Sequence, residues 1–214
     1  GQGRAVALRR LGLLGRVAVV AYADHLDVQV AAGRVHVLRC AVEPDRRDFR
    51  VGACFAQATG LRLLDEPHAA TIGGQRIALV HGDAECTLDT KYMEFRAMVR
   101  SQAWQAQFLA MPLAQRKAII AGLREGSREA HTTKTYEIMD VTPGAIEAVF
   151  AATGADVLIH GHTHRPALHL HGDKRRYVLP DWELDAQPPR GGWIAVDEHG
   201  AVTRHGIDGS PTLG

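Results

Sequence analysis

LIHGHTHRPA, residues 158–167, places three histidines within five positions directly after a short apolar run. Together with the preceding ADV, the run predicts a buried strand that passes into a loop. Imidazole is the commonest metal ligand among side chains, and loops at strand ends are where binding sites are often built. His162 and His164 would share one face of an extended chain, and Gly161 would let the backbone approach a bound group. The stretch therefore predicts a metal-binding loop at the end of a strand.

A second stretch, ATIGGQRIALVHGD at residues 70–83, has a similar organisation. Two short strands flank Gly73-Gly74, whose tolerance of positive φ suits a tight hairpin turn. The second strand, Arg76 to Val80, ends at His81-Gly82-Asp83. Two strand-end loops that each carry His and Gly are expected to meet at one metal site. The alternative is a set of scattered polar loop histidines.

Composition sets the class of protein. The chain has 214 residues, 46% of them hydrophobic, which is enough for one domain with a full core. A net charge of +1 gives no field that would attract nucleic acid, and no run of about 18 apolar residues predicts a membrane span. The basic, apolar start of the chain is interrupted by arginines, so we do not expect a signal peptide. Three cysteines without paired spacing are expected to be reduced thiols of a cytoplasmic protein.

Strand patterns occur at both ends of the chain. VAVVA (17–21) and VHVLR (35–39) are β-branched runs of strand length. After the histidine loop, four short strands are expected, with turns at His171-Gly172-Asp173 and Glu198-His199-Gly200.

Helical patterns occupy the middle. Residues 51–58 suit a short helix, and apolar spacing from about 90 to 140 predicts two helices broken near Pro112 and a third segment from Ser127. Another helix is expected from Pro143 to about Ala152. The order predicts a mixed α/β domain with a helical insertion.

The two histidine motifs resemble the last two metal motifs of the calcineurin-like metallophosphoesterases. More narrowly, residues 47 to about 193 resemble the UDP-2,3-diacylglucosamine pyrophosphohydrolases of lipid A biosynthesis. The matching stretches are RDFRVGACFAQATG, ALVHGDAECTLDTKYMEFR, REGSREAHTTKTYEIMDV, LIHGHTHRPALH and RRYVLPDW. The resemblance implies a β-sandwich flanked by helices over residues 47–214, with a helical lid insertion at about 90–140. Residues 1–46 form an unrecognised or degenerate segment, as if the N-terminal part were truncated or altered.

The resemblance also implies roles for individual residues. His81, His162 and His164 correspond to metal ligands, and His162 also stands beside the substrate phosphate as the catalytic residue. The implied substrate-binding residues are Arg47, Asp89, Ser127, His131, Lys134 and His162, with Tyr92 and Arg124 as secondary candidates. His131 stands where relatives often have Asn. Such enzymes use two divalent metals, usually Mn²⁺, to split the diphosphate into UMP and a lipid monophosphate, lipid X.

The helical insertion suits an amphiphilic substrate. Between Lys91 and Lys134, eight cations face three anions, a net charge of +5, and apolar residues are interleaved with them. A basic lid with an apolar face fits a nucleotide-sugar lipid and an anionic membrane surface. The resemblance implies a cytoplasmic protein, peripheral on the cytoplasmic face of a bacterial inner membrane. No nucleic acid and no protein partner are expected. The alternative is a helical hairpin whose apolar face is ordinary core.

The family's first metal motifs are missing from the sequence: an Asp-x-His, a Gly-Asp and a Gly-Asn. Arg46 stands where the Asn of Gly-Asn is expected, and Asp24-His25 is a poor substitute for Asp-x-His because adjacent strand residues point to opposite faces. Neutral imidazoles cannot replace a bridging carboxylate between two cations. We therefore expect one weakly bound metal or none, poor hydrolysis, and loss of the first strand pairings of the sheet. A frame error or a rearranged gene would explain such a start.

Two other functions stay open. A catalytically silent relative would bind the nucleotide-sugar lipid without turnover. A structural zinc module would need four ligands from Cys or His, and the cysteines lie far in sequence from the histidine motif.

Overall fold

Two sheets carry most of the strand residues. The computed structural model describes residues 17–22, 25–30, 36–40, 62–133, 135 and 137–212. Sheet A runs, from edge to edge, β11 (Val202–Gly206), β10 (Gly192–Val196), β1 (Val17–Tyr22), β2 (His25–Val30), β3 (His36–Cys40) and β4 (Arg62–Leu64). Its neighbours pair antiparallel except β3 and β4, which are parallel.

Sheet B places the histidine motifs side by side. Its order is β5 (His68–Ile72), β6 (Gln75–Leu79), β7 (Val157–His160), β9 (Lys174–Val178) and β8 (Leu168–His171). The three central strands are parallel, whereas β5–β6 and β8–β9 are antiparallel hairpins. Carboxyl ends of neighbouring parallel strands lie at the same edge of a sheet, so the residues after β6 and β7 come together there.

The strand predictions are confirmed for both ends of the chain. VAVVA lies in β1, VHVLR lies largely in β3, and the four strands after the histidine loop are β8 to β11. Gly73 and Gly74 have φ of 57° and 78°, as the hairpin turn between β5 and β6 requires.

The expected loss of the first strand pairings is wrong. β1 pairs with β10 and β2, and β2 pairs with β3, so residues from the unrecognised start of the chain fill the middle of sheet A. Alternating and β-branched residues supplied this pairing without any recognisable metal motif. Residues 51–58 lie outside the described part of the chain.

One core lies between the two sheets. Its buried residues come from β4, β6, β7, β9 and β10 and their ends: Leu64, Ile77, Leu79, Val157, Ile159, Tyr177, Leu179, Ile194 and Val196. Because both sheets contribute side chains to this single cluster, they pack face to face as a β-sandwich. The predicted sandwich is thereby confirmed from the chain's own packing.

Four helices are described, and they differ in detail from the sequence prediction. They are α1 (Thr90–Arg100), α2 (Gln102–Ala110), α3 (Leu113–Thr133) and α4 (Pro143–Thr153). Ser101 separates α1 from α2, and its hydroxyl accepts from the Trp104 N–H at 3.2 Å as an N-cap. The predicted third segment from Ser127 is wrong, because α3 continues through it; the Ala, Arg, Glu and Leu of this stretch favour helix enough to carry Gly122 and Gly126.

Helix α4 covers the outer face of sheet B. Ile146, Val149 and Phe150 pack with Ala78, Leu158 and other buried residues in a second cluster. The helix begins at Pro143, where a missing N–H costs nothing, and ends at Gly154 with φ of 61°. This packing fixes β6 and β7 from the side opposite to the sandwich core. No helix in the described ranges is long and apolar enough to cross a membrane.

Candidate active site

The ends of β6 and β7 are joined by backbone hydrogen bonds. The Val80 N–H donates to the Ile159 carbonyl at 3.2 Å, and the Gly161 N–H donates to the His81 carbonyl at 2.9 Å. The parallel ladder thus continues past both strands into the two loops. Gly82 has φ of 112°, and a Cβ on it would lie 2.8 Å from Nδ1 of His160. Glycine is required here both by the backbone conformation and by the close approach of the second loop.

The imidazoles of the two loops meet as predicted. Nε2 of His81 lies 3.1 Å from Nδ1 of His162, and the ring centroids are 4.9 Å apart. Two nitrogens bound at about 2.1 Å to one cation, on bonds at a right angle, are about 3 Å apart. In the structure this contact is a hydrogen bond between the two rings, and its length also matches the spacing of two ligands on one divalent metal.

Burial keeps His162 in the form that binds metals. Withdrawal of its ring from water, followed by the proximity of His81, lowers the pKa of His162 to about 3. A neutral imidazole offers a lone pair to a cation, whereas imidazolium does not.

The backbone at His162 and His164 curls in a way that the sequence did not predict. His162 and His164 have φ of 63° and 54°, so the expectation of an extended backbone is wrong. The left-handed turns let the chain curl after Gly161, where the Thr163 N–H donates to the Gly161 carbonyl at 2.7 Å. Non-glycine residues rarely adopt this conformation, and it concentrates at ligand-binding and catalytic loops. His164 is exposed and contributes to the depressed pKa of Asp181, after the Arg190 hydrogen bond.

The described ranges contain no complete metal site. Within those ranges, no three His, Cys, Asp or Glu side chains are arranged to hold a metal ion. His81 and His162 fit a metal as a pair, and Arg46 and Asp24 lie outside the described residues. His25 begins β2.

Asp83 is an anchor for helix α1. Its carboxylate is fully buried, and Oδ2 accepts from Nε of Arg96 at 2.5 Å and from Nη2 of Arg100 at 3.1 Å. Burial by itself would raise the pKa of Asp83, but His81, Arg100 and Arg96 outweigh it and hold the pKa well below its usual range. This carboxylate therefore holds α1 against the His81 loop, and its charge also acts on His81.

Two further carboxyl groups lie near His81. Glu66 accepts from the His81 backbone N–H, and burial, followed by the charge of Asp83, raises the pKa of Glu66 to about 7. Burial and Asp83 also raise the pKa of Glu85, whose Oε2 is buried without a hydrogen bond in the structure. Glu66 and Glu85 thus lie close enough to Asp83 for its negative charge to disfavour their ionisation.

The structure describes only some of the predicted substrate-binding residues. Asp89 is buried and caps α1, accepting from the Tyr92 N–H at 3.1 Å. Tyr92 lies over the site: its ring centroid is 5.5 Å from that of His162, and its hydroxyl is 3.5 Å from Asp83. Arg47 and Lys134 lie outside the described residues. The side chains of Arg124, Ser127 and His131 also lie outside the described part.

Sequence reasoning missed the groups that support the histidines. Tyr92, Arg96 and Arg100 recur at intervals of four, which places them on one face of α1, and all three contact Asp83. That spacing next to His-Gly-Asp was the available signal. Glu66 and Glu85 gave no such signal, because their proximity to His81 depends on the packing of sheet B.

The insertion has an apolar surface as well as an apolar core. Val99 and Phe108 are buried, and Trp104 stacks on Phe108 with ring centroids 4.8 Å apart. Other apolar side chains of the insertion are about half exposed: Met98, Leu109 and Leu113. The alternative of an ordinary core face therefore accounts for only part of the segment.

Searches for related sequences find close relatives along most of the chain. UDP-2,3-diacylglucosamine hydrolase of Bordetella parapertussis is 48% identical over 178 residues, which are 81% of this chain and 68% of the relative. The proteins of the same name from Chromohalobacter salexigens and Chromobacterium violaceum are 49% and 47% identical, over 71% and 72% of this chain and 62% and 64% of theirs. No protein-family model matches the chain.

Solved structures give a weaker comparison. The Vps29 of Entamoeba histolytica, complexed with zinc, is 14% identical and covers 71% of this chain and 60% of that one, with a TM-score of 0.35. Vacuolar protein sorting 29 of Cryptosporidium parvum has a TM-score of 0.33, with 15% identity over 71% of this chain and 56% of that one.

Proposed function

Because the chain belongs to the UDP-2,3-diacylglucosamine hydrolase family, we propose that it hydrolyses the diphosphate of UDP-2,3-diacylglucosamine. The products are UMP and 2,3-diacylglucosamine 1-phosphate (lipid X), and the reaction serves lipid A biosynthesis. The observation that carries the proposal is the 3.1 Å approach of His81 Nε2 to His162 Nδ1 at the ends of adjacent parallel strands.

His81, His162 and His164 are the proposed metal ligands, and Mn²⁺ is the proposed ion. When bound, a divalent cation supplies an activated water and neutralises the charge on the phosphate oxygens. His162 additionally faces the phosphate. Asp89, Ser127, His131, Lys134 and Arg47 are the proposed contacts to the headgroup, and Tyr92 bounds the site above His162.

Hydrolysis by this chain is proposed to be poor. Arg46 stands where the Asn of the family's Gly-Asn motif is expected, so a cationic side chain replaces an amide ligand. In support, the buried carboxylate closest in sequence to His81, that of Asp83, is already bound by two arginines. Two cations at one site need anionic ligands to offset their repulsion.

The insertion is proposed to receive the acyl chains and to lie against an anionic membrane on the cytoplasmic face of the inner membrane. Half-exposed Met98, Leu109 and Leu113 support this proposal. Arg96 and Arg100 contribute less than their charge suggests, since Asp83 binds both.

UMP release from UDP-2,3-diacylglucosamine in the presence of Mn²⁺ tests the activity. We expect slow release that His162→Ala abolishes and that His199→Ala, a change at an exposed histidine, leaves unchanged. Release that His162→Ala does not affect would refute the proposed site. Two bound equivalents of Mn²⁺ with rapid release would refute the impairment.

The alternative is a silent relative that binds the lipid without turnover. A site that binds without turnover suits fixed groups with little net charge at its base. Raised pKa values bring Glu66 and Glu85 closer to neutrality, and two arginines neutralise Asp83. Lipid binding measured by calorimetry, together with no UMP release at the same protein concentration, would favour this function.

A further inference from the structure

Of the three histidines in the HGHTH stretch, His160 has no place among the proposed ligands. It is the last residue of β7 and is fully buried, with no exposed surface. Both ring nitrogens have partners: Nδ1 lies 2.9 Å from the Gly161 carbonyl, and Nε2 lies 2.9 Å from Nη1 of Arg176. An imidazole enclosed in this way is committed to its neighbours and cannot reach a ligand.

The partners determine where the proton of His160 resides. Arg176 is a donor only, so Nε2 of His160 has to accept and carries no hydrogen. The carbonyl of Gly161 is an acceptor only, so Nδ1 carries the hydrogen and donates it. The neutral ring is therefore fixed as one tautomer by two groups on opposite sides.

Arg176 is itself fixed by the same cluster. It lies on β9, where it pairs with Leu158 of β7, and it is buried. Its Nε donates to Nε2 of His171 at 3.3 Å. A guanidinium in this position is costly to bury, so its hydrogen bonds to two imidazoles are needed to keep it there.

The ring of His160 also lies against the opposite loop. A Cβ on Gly82 would come within 2.8 Å of His160 Nδ1, so the imidazole occupies the space directly beside the His81 loop. The next residue, Gly161, donates its N–H to the His81 carbonyl. The ring therefore touches one loop by packing and holds the other by hydrogen bonding.

We propose that His160 is a positioning residue, held as the Nδ1–H tautomer by Arg176, which sets the separation of His81 and His162. Arg176 orients the ring, the ring fixes the Gly161 carbonyl, and Gly161 fixes the backbone bond to His81. The role in ligand spacing rests on the proposed metal pair, whereas the tautomer and the loop bond are properties of the metal-free protein.

Nitrogen-15 NMR of histidine-labelled protein without metal tests the tautomer directly. His160 is assigned by loss of its signals in His160→Asn. We expect a protonated Nδ1 and an unprotonated Nε2 in the native protein, and loss of this single form in Arg176→Met. A protonated Nε2 in the native protein overturns the proposal.

Amide exchange at Gly161 tests the coupling. His160→Asn keeps a donor near the Gly161 carbonyl but leaves Arg176 without its acceptor, and Arg176→Met removes the donor. We expect each change to raise the rate of amide exchange at Gly161 at least tenfold relative to the rate at Ile194. In the double variant, the increase in this rate should be well below a hundredfold. Effects that multiply fully would show that the two residues act independently and would overturn the proposal.

His205→Asn is the matched control, because Nδ1 of His205 also bonds a glycine carbonyl, that of Gly209, at 3.1 Å, on sheet A. It is expected to leave Gly161 exchange and Mn²⁺ affinity unchanged, whereas Arg176→Met weakens Mn²⁺ binding about tenfold. Absent UMP release with the expected tautomer would refute the proposed function alone. The wrong tautomer with normal release would refute the positioning role alone.

Discussion

The loops that carry His81 and His162 and the helix that contacts them are secured by different interactions. The loops continue a parallel ladder of buried strands through backbone bonds at 2.9–3.2 Å. Helix α1 has one buried apolar residue, Val99, and is tied to the loops by ion pairs from Arg96 and Arg100 to Asp83. Backbone ladders depend on the conformation and close approach of the main chain, whereas the helix depends on one shared carboxylate. We therefore expect the loops to be rigid and the helix to depend on a single side chain.

Gly82→Ala is expected to cause the largest loss of stability, because it disrupts the close contact between the His81 loop and His160. A φ of 112° and a contact of 2.8 Å to His160 would together reduce the free energy of unfolding by about 3 kcal/mol. Urea denaturation measures the loss. Gly74→Ala is the control: it has φ of 78° but nothing within 4 Å of its Cβ, so its loss should be about 1 kcal/mol. Equal losses would remove the steric part of the argument.

Asp83→Asn is expected to release α1 while leaving the strands intact. Two arginines lose their anion, but their side chains are 20% and 27% exposed, so the loss in unfolding free energy should be about 2 kcal/mol. Hydrogen exchange should rise in residues 92–100 and stay unchanged in α4. Asp181→Asn, which breaks an ion pair with Arg190 elsewhere, is the control. A uniform rise in both helices would contradict a local anchor.

Leu109→Ser and Leu113→Ser test whether the outer surface of the insertion serves the membrane. Each side chain is about half exposed, and losing its burial in lipid should weaken binding to anionic vesicles about tenfold. Vesicle sedimentation measures the change. Leu170→Ser removes an equally apolar exposed side chain from β8 and should have no effect. An equal loss of vesicle binding in all three variants would indicate nonspecific hydrophobic adsorption.

Cys86 gives the smallest and most conditional effect. Its thiol donates to the Gly82 carbonyl at 3.4 Å, and burial, followed by Asp140 and Asp83, raises its pKa to about 12. A pKa raised on folding gives stability that is complete below the unfolded pKa and lost as pH rises through the folded one. Relative to Cys86→Ser, the native chain should therefore lose about 1 kcal/mol between pH 8 and pH 9.5 in urea denaturation. Parallel pH profiles of the two proteins would contradict the burial of the thiol.

The sequence predicted the features that depend on where strands end and on the conformational freedom of glycine. The hairpin at Gly73-Gly74, the buried strand before Gly161 and the meeting of His81 with His162 follow from local patterns. Strand pairing among residues 17–40 was not predicted, since pairing partners of a strand cannot be read from its own composition.

Side-chain partnerships were the harder part of the site. The curled backbone at His162 and His164 was missed because periodicity arguments assume regular φ and ψ. The anchoring of Arg96 to Asp83 and of Arg176 to His160 crosses from one element to another, and only the packed structure brings those groups together.

The order of strands in sheet A has a consequence for synthesis on the ribosome. Residues 17–20 of β1 pair with residues 193–196 of β10, so contacts across almost the whole chain complete that sheet. Sheet B includes two short-range hairpins, and its inner face lacks its contacts with Ile194 and Val196 of β10 until the last strands are synthesised. We expect nascent chains stalled before residue 190 to bind holdase chaperones through this face and to be released when β10 arrives.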